Sequence, residues 1–197
     1  MRETMPRTRD IARELSRKYS TMTFDELDIL TDLLIPMKYP KGEKILSEGE
    51  ICKNIYYIEK GLIRQFYYKH DKELTEHLGV DHTICMCIES LFKEEPTHLQ
   101  IEALEPTLLY ALPKNRLEAA AIKNVNIQML YRKILEESLI ISQIHADMVR
   151  FESAQNRYLR LCKEDPLIVQ RAPLNYIANY LQMTPETLSR VRANTLL

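Results

Sequence analysis

Near the end of the chain, Thr184-Pro185-Glu186-Thr187 is followed by Ser189, Arg190 and Arg192. These residue types at this spacing can start a helix and read a nucleic acid. Thr184 suits the N-cap, because its hydroxyl can accept from a free backbone N–H of the first turn. Pro185 suits the first helical position, where a missing N–H is no loss. Glu186 complements the positive end of the helix dipole. Leu188 and Val191 then fall on one side of the helix, leaving Pro185, Glu186, Ser189, Arg190 and Ala193 on the open side. An arginine there can bond bidentately to guanine O6 and N7, and a glutamate can accept from cytosine N4. Glu186 and Arg190 are four apart and can steady one another. Thr184, Thr187 and Arg192 suit phosphate contacts, which add affinity but little sequence information.

Just upstream, Leu174, Ile177, Ala178 and Leu181 recur on one helical face, and Gln182-Met183 reads as a turn. Two short helices joined this way fit a helix-turn-helix, with the small Ala178 allowing close approach. An ordinary helical hairpin closing a domain is the other reading of the spacing.

Other chemistry is sparse. Cys52, Cys85, Cys87 and Cys162 match no zinc pattern and no C-x-x-C motif. Cys85-x-Cys87 reads as two thiols on one strand face, reduced and packed, with a thiol sensor as the alternative. The five histidines show no metal-ligand spacing, so no metal is expected. His82, among apolar residues beside the cysteines, is the one to check as a haem or metal ligand. Glu94-Glu95 reads as a solvated turn, and neither a nucleophile elbow nor a Walker loop is present. The expectation is a protein that is not an enzyme.

With 197 residues, 45% hydrophobic and 28% charged, the chain can bury one or two cores. No run reaches the ~18–20 apolar residues needed to span a bilayer. The opening MRETMPRTRDIARELSRKYS lacks a secretory apolar core and reads as an amphipathic helix with Ile11 and Leu15 on one face. A cytoplasmic location without membrane contact is expected. Net charge is −1, yet from Arg150 onward seven basic residues stand against four acidic ones. A basic last quarter on an acidic body favours an anionic partner for that end.

All four glycines lie in the first half, at Gly42, Gly49, Gly61 and Gly79. Segments 43–48, 54–59, 62–68, 73–79, 98–104 and 107–112 carry strand-like content, joined by turns such as Glu59-Lys60-Gly61 and Lys69-His70-Asp71-Lys72. Short strands without interleaved helices predict an antiparallel sandwich or barrel. After Pro113 no Gly or Pro occurs until beyond Ala154. Ile127, Leu130, Ile134, Glu137, Ile141, Ile144, Met148 and Phe151 alternate at spacings of three and four, a heptad seam with one acidic interruption. Leu135, Leu139 and Ile140 supply a second apolar flank. A homodimeric seam of Ile127, Leu130, Ile134, Ile141, Ile144 and Met148 is expected, with Glu137 pairing across it or lying at its splayed edge. A further helix over 153–163 stops before Asp165-Pro166.

IANYLQMTPETLSRVR resembles the recognition segment of Crp/Fnr-type bacterial transcription regulators, in their short-tailed branch. KGEKILSEGEICKNIYYIEKGLIRQFYY is similar to the opening strands of that family's cyclic-nucleotide-binding-type barrel, and IEALEPTLLYALPK to its closing strands. The helix from 127 to 154 falls where the family has its dimer helix, and QNRYLRLCKEDP where a helix enters the DNA domain. The resemblance implies an α+β fold. It divides into an N-terminal helix (1–22), a jelly-roll antiparallel β-barrel sensor (23–124), a dimerisation helix (125–154) and a helix-turn-helix DNA-binding domain (155–197). Glu186 and Arg190 match the family's base-reading glutamate and arginine. The implied partners are double-stranded DNA with a pseudo-palindromic operator, a second copy of the chain, and RNA polymerase.

The sequence departs from the family in two places. Gln182 stands where the turn usually has glycine. In MCIESLFKEEPTHLQIEAL, Glu89 matches a ribose-binding glutamate, but no glycine precedes it and no arginine lies between Arg64 and Arg116. Glu89, Ser90, Thr97 and His98 are the candidate effector pocket, with His98 or Lys93 as the stand-in cation. cAMP binding in the family's usual way is not expected, because a buried phosphate without its cation is an uncompensated charge. The cysteines that would ligate an iron–sulfur cluster are absent, so no such cofactor is expected. A cyclic-nucleotide-type sensor or adaptor that no longer binds DNA is the alternative function.

Overall fold

The computed structural model describes residues 7–195; positions 1–6 and 196–197, included in the expected terminal segments, lie outside them. In chain order the elements are α1 (Thr8–Tyr19), α2 (Phe24–Leu33), β1 (Ile35–Tyr39), β2 (Lys44–Leu46), β3 (Asn54–Lys60), β4 (Leu62–Lys69) and β5 (Lys72–Val80). β6 (Ile84–Cys85), α3 (Ile88–Lys93), β7 (Gln100–Ala103), β8 (Thr107–Pro113), α4 (Lys114–Lys123) and α5 (Val125–Phe151) follow. The last helices are α6 (Ala154–Glu164), α7 (Pro166–Arg171), α8 (Leu174–Tyr180) and α9 (Pro185–Thr195).

The strands form two four-stranded antiparallel sheets, ordered β1-β8-β3-β6 and β2-β7-β4-β5. The architecture is α+β and jelly-roll-like, but the sheets do not close into a continuous barrel. Gly61 carries the chain from one sheet to the other with φ +139°, and a Cβ there would lie 2.8 Å from the Thr107 backbone. The β4–β5 hairpin turns on His70 and Asp71, both with positive φ (50° and 58°), as a twist-matched two-residue loop requires.

The amphipathic face of α1 buries Ile11, Ala12, Leu15 and Tyr19 in the core of the sheets. α2 starts at a capping box, with Glu26 N–H donating to Thr23 Oγ1 (3.3 Å) and Thr23 N–H to Glu26 Oε2 (2.9 Å). Cys85 and Cys87 do not share a strand, because β6 ends at Cys85 and Cys87 precedes α3. Both thiols nevertheless meet one side chain: Gln65 Nε2 donates to Cys87 Sγ (3.3 Å) and Cys85 Sγ donates to Gln65 Oε1 (3.6 Å).

The long apolar repeat corrects the expected seam. Ile127, Leu130 and Ile134 are fully buried in this chain's own core, and Met148 is buried in a second core. Those four are therefore already covered in cis. Ile141 and Ile144 stay exposed. Glu137 is engaged within the chain: it accepts from Tyr19 Oη, and Lys18 Nζ lies 2.9 Å away. α5 begins after Asn124, whose extended backbone separates it from α4, close to the expected start at 125. Asp165-Pro166 ends α6 as expected but opens α7, with Pro166 in the first turn.

The second core is built by Tyr158, Leu161, Ile168, Ile177, Leu181, Leu188 and Val191 together with Leu62, Leu78 and Val80 of β4 and β5. The C-terminal helices thus complete their core on the sheet. Arg171 bridges Asp81 (2.9 Å) and Glu105, and Asn179 bonds the β5 backbone twice, at Thr75 N–H (2.5 Å) and Glu73 C=O (2.6 Å).

Candidate functional site

The turn between α8 and α9 closes with two backbone bonds, Met183 N–H to Ala178 C=O (2.9 Å) and Gln182 N–H to Asn179 C=O (3.0 Å). This is a Schellman closure, which needs a left-handed residue at its apex. Gln182 holds that position with φ 50°. A side chain in that conformation costs about 1 kcal/mol relative to glycine.

α9 begins as the sequence predicts. Thr187 N–H donates to Thr184 Oγ1 (3.2 Å), and Pro185 occupies the first turn. Leu188 and Val191 are buried, while Pro185, Glu186, Ser189, Arg190, Arg192 and Ala193 are exposed. Thr184 spends its hydroxyl on the cap, and half-buried Thr187 takes a contact from Arg190 Nη2 at 3.4 Å. The Glu186 carboxyl is held below the usual range, first by a backbone N–H at the helix start, then by Thr184 and the charge of Arg190. An ionised acid and a cation therefore lie side by side on an open helix face. Arg160 and Arg171, counted in the basic surplus, are neutralised locally: Arg160 pairs with Glu152 and Glu164 (3.1 Å), Arg171 with Asp81 and Glu105.

The expected effector residues separate into two pairs. Glu89 and His98 line a cavity of ≈ 540 Å³ between the β4–β5–β6 region, α3, α5 and α8. Glu89 is ion-paired to Lys93 at 2.7 Å, which lowers its pKa, and His98 lies edge-on to Tyr67 at 5.1 Å. Ser90 and Thr97 are buried and do not line it, which corrects that part of the expectation. Ser90 Oγ accepts from Cys52 N–H (3.0 Å) and donates to Glu95 C=O (2.6 Å), and Thr97 Oγ1 accepts from Leu99 N–H (2.9 Å). Both hydroxyls hold loop backbone.

Among the described residues on the cavity wall, none is Lys or Arg. Arg64, the buried arginine of β4, is committed elsewhere: to Glu73 (2.5 Å), to Glu102 (2.7 Å) and to the ring faces of Phe66 and Tyr176. Sequence reasoning placed only Glu89 and His98 on this wall; among those it missed are His145 and Tyr180, whose rings stack at 4.6 Å. The one available signal was aromatic and imidazole character on elements far apart in the chain.

His82 lies on a solvent-facing turn with φ 64°, its Nδ1 2.8 Å from both Tyr57 Oη and Glu14 Oε1. Among the described residues no group of three His, Cys, Asp or Glu side chains could hold a metal ion, and no helix is long and apolar enough to cross a membrane.

Residues 36–124 match the cyclic nucleotide-binding domain family. No curated protein matches the chain. Solved structures do. FixK2 from Bradyrhizobium japonicum aligns with TM-score 0.70 at 19% identity, over 82% of this chain and 83% of that one. A putative transcriptional regulator of the Crp/Fnr family from Eubacterium rectale aligns with TM-score 0.65 at 16% identity, over 98% and 88%. The catabolite activator protein of Thermus thermophilus aligns with TM-score 0.55 at 22% identity, over 91% and 85%. The chain therefore carries a cyclic nucleotide-binding-type domain within the fold of the Crp/Fnr transcription regulators.

Proposed function

We propose that the protein is a homodimeric, DNA-binding transcription regulator. The observation that carries this is the open face of α9, where Glu186 and Arg190 are exposed above buried Leu188 and Val191. A helix entering the major groove N-terminus first brings those two positions to base edges. Arg190 reads guanine, Glu186 reads cytosine, and Arg192 contacts phosphate.

The dimer is supported by α5. Ile140 is 57% exposed and, unlike its exposed neighbours Leu139 and Ile141, does not line the cavity. Ile140, Ile144 and Phe151 share one side of that helix, a surface suited to a second copy. A two-fold axis along α5 would place two recognition helices on half-sites about 34 Å apart. The reading of a barrel that does not take cAMP in the usual way is supported by a cavity wall that offers a cyclic phosphate no Lys or Arg.

The test is a gel shift on DNA upstream of the protein's own gene, repeated across a salt series. A defined complex that weakens steeply with salt is expected. Arg190→Ala should cost about 1–3 kcal/mol on that site. Binding of cognate and scrambled DNA alike by parent and variant would remove the base-reading role and leave a sensor or adaptor without DNA.

A further inference from the structure

The cavity is large enough for a small organic molecule, at ≈ 540 Å³ within the usual 300–1,000 Å³ range. Its wall is dominated by apolar side chains, among them Ile84, Met86, Ile88, Phe92 and Leu135. Its carboxylates are Glu76 and Glu89, and no Lys or Arg joins them on the wall. Desolvation raises the pKa of Glu76, which keeps an exposed edge, and a ligand anion beside Glu76 and Glu89 would be repelled by them. An anion entering would give up its hydration, meet no Lys or Arg on the wall and lie near Glu89.

Two wall residues carry unmet polar atoms. His77 Nε2 and His145 Nδ1 are sealed from solvent and lack a hydrogen-bond partner. Burial lowers both imidazole pKa values, so both rings are neutral at pH 7. Neutral rings on an apolar wall again favour an uncharged guest.

One wall residue, Tyr180, belongs to α8, the first helix of the helix-turn-helix. It stacks on His145 of α5, and its neighbour Asn179 holds the β5 backbone. The cavity is therefore bounded by the sheet, the long helix and the DNA-reading unit at once.

We propose that this cavity binds an uncharged, mainly apolar organic molecule that seats against Tyr180, so that occupancy acts on the helix-turn-helix directly. The proposal deepens the regulator reading by assigning the chemical class of its signal, and it rests on that reading for its biological meaning.

The test uses the full chain and the uncharged fluorophore N-phenyl-1-naphthylamine. Saturable binding at one probe per chain is expected, undisturbed by cAMP. Ile88→Glu places a charge on the wall from a partly exposed position in the first turn of α3, and Ser142→Trp fills the space from exposed α5. Each should weaken probe binding by roughly tenfold or more, with unchanged circular dichroism. Ile122→Glu, the same kind of change at a residue 84% exposed on α4 and off the wall, should leave it unaltered. Hydrogen exchange of residues 174–183 should slow when the probe is bound. Displacement by cAMP, or parent-like binding by both wall variants, overturns the ligand class. Unchanged exchange over 174–183 overturns the contact with Tyr180. None of these readouts requires DNA, so a failed gel shift and a failed cavity are told apart.

Discussion

Tyr176 of α8 stacks on the buried guanidinium of Arg64, 3.7 Å from ring centroid to Cζ. Arg64 is 2% exposed and also pairs with Glu73 and Glu102, so one cation of β4 ties the sheet to α8. Arg64→Met keeps much of the volume but strands two carboxylates. The expected cost is about 3 kcal/mol, the low end for breaking a buried pair, because Lys44 still holds Glu102 at 2.9 Å. Urea denaturation should show that loss, and limited proteolysis should cut sooner between the sheet and α6. Parent-like stability would mean that the stack is incidental.

Gln182→Gly should stabilise the protein by about 1 kcal/mol, since it removes the left-handed strain at the Schellman apex. Gln182→Val should destabilise it, because a β-branched residue is poorly accommodated at positive φ. Paired denaturation curves check both signs.

His77 predicts an acid sensitivity. Burial first, then the nearby His145, pushes its imidazole down to about 4 from the usual 6.5. The fold holds the neutral form, whereas the unfolded chain protonates near 6.5. The contribution to stability is therefore complete above pH 6.5, falls as pH drops from 6.5 towards 4, and is flat below that. The loss should be on the order of 1–3 kcal/mol. His77→Gln should flatten the stability profile across that window in denaturation curves taken from pH 7.5 to 4; a slope equal to the parent's would assign the sensitivity to other groups.

Two substitutions on one helix should act differently. Ile140→Asp, at a residue 57% exposed, should leave the fold intact and convert a dimer to monomers in sedimentation equilibrium. Ile134→Ala, at a residue with no exposure, should cost about 2–5 kcal/mol of stability through the cavity it leaves. A dimer that survives Ile140→Asp would place self-association elsewhere.

These contrasts show what local pattern carries. The start of α9 was legible because Thr184, Pro185 and Glu186 each answer a separate demand of a helix N-terminus. The exposure of Glu186 and Arg190 followed from the burial of Leu188 and Val191. The α5 repeat was legible as a helix but not in its partner, since three-four spacing is the same whether the cover is the chain's own sheet or a second helix. β1 was hidden by Pro36, which is tolerated on an edge strand. α2 carries a readable T-x-x-E signal at Thr23 and Glu26, a capping box local enough to be legible. Ser90 and Thr97 could not be placed, because whether a hydroxyl faces a cavity or holds a loop depends on backbone folded from elsewhere. The ties of Arg64 to Tyr176 and of Asn179 to Thr75 join residues about a hundred positions apart, beyond any local period.

The most direct test of the central claim is selection of the protein's binding sites from randomised DNA duplexes, run in parallel with Arg190→Ala. Enrichment by the parent of a two-fold-symmetric motif, with half-site centres about one helical turn apart and a G·C pair lost from the consensus in the variant, is the predicted result. No enriched motif with the parent, or an identical motif with Arg190→Ala, would contradict it.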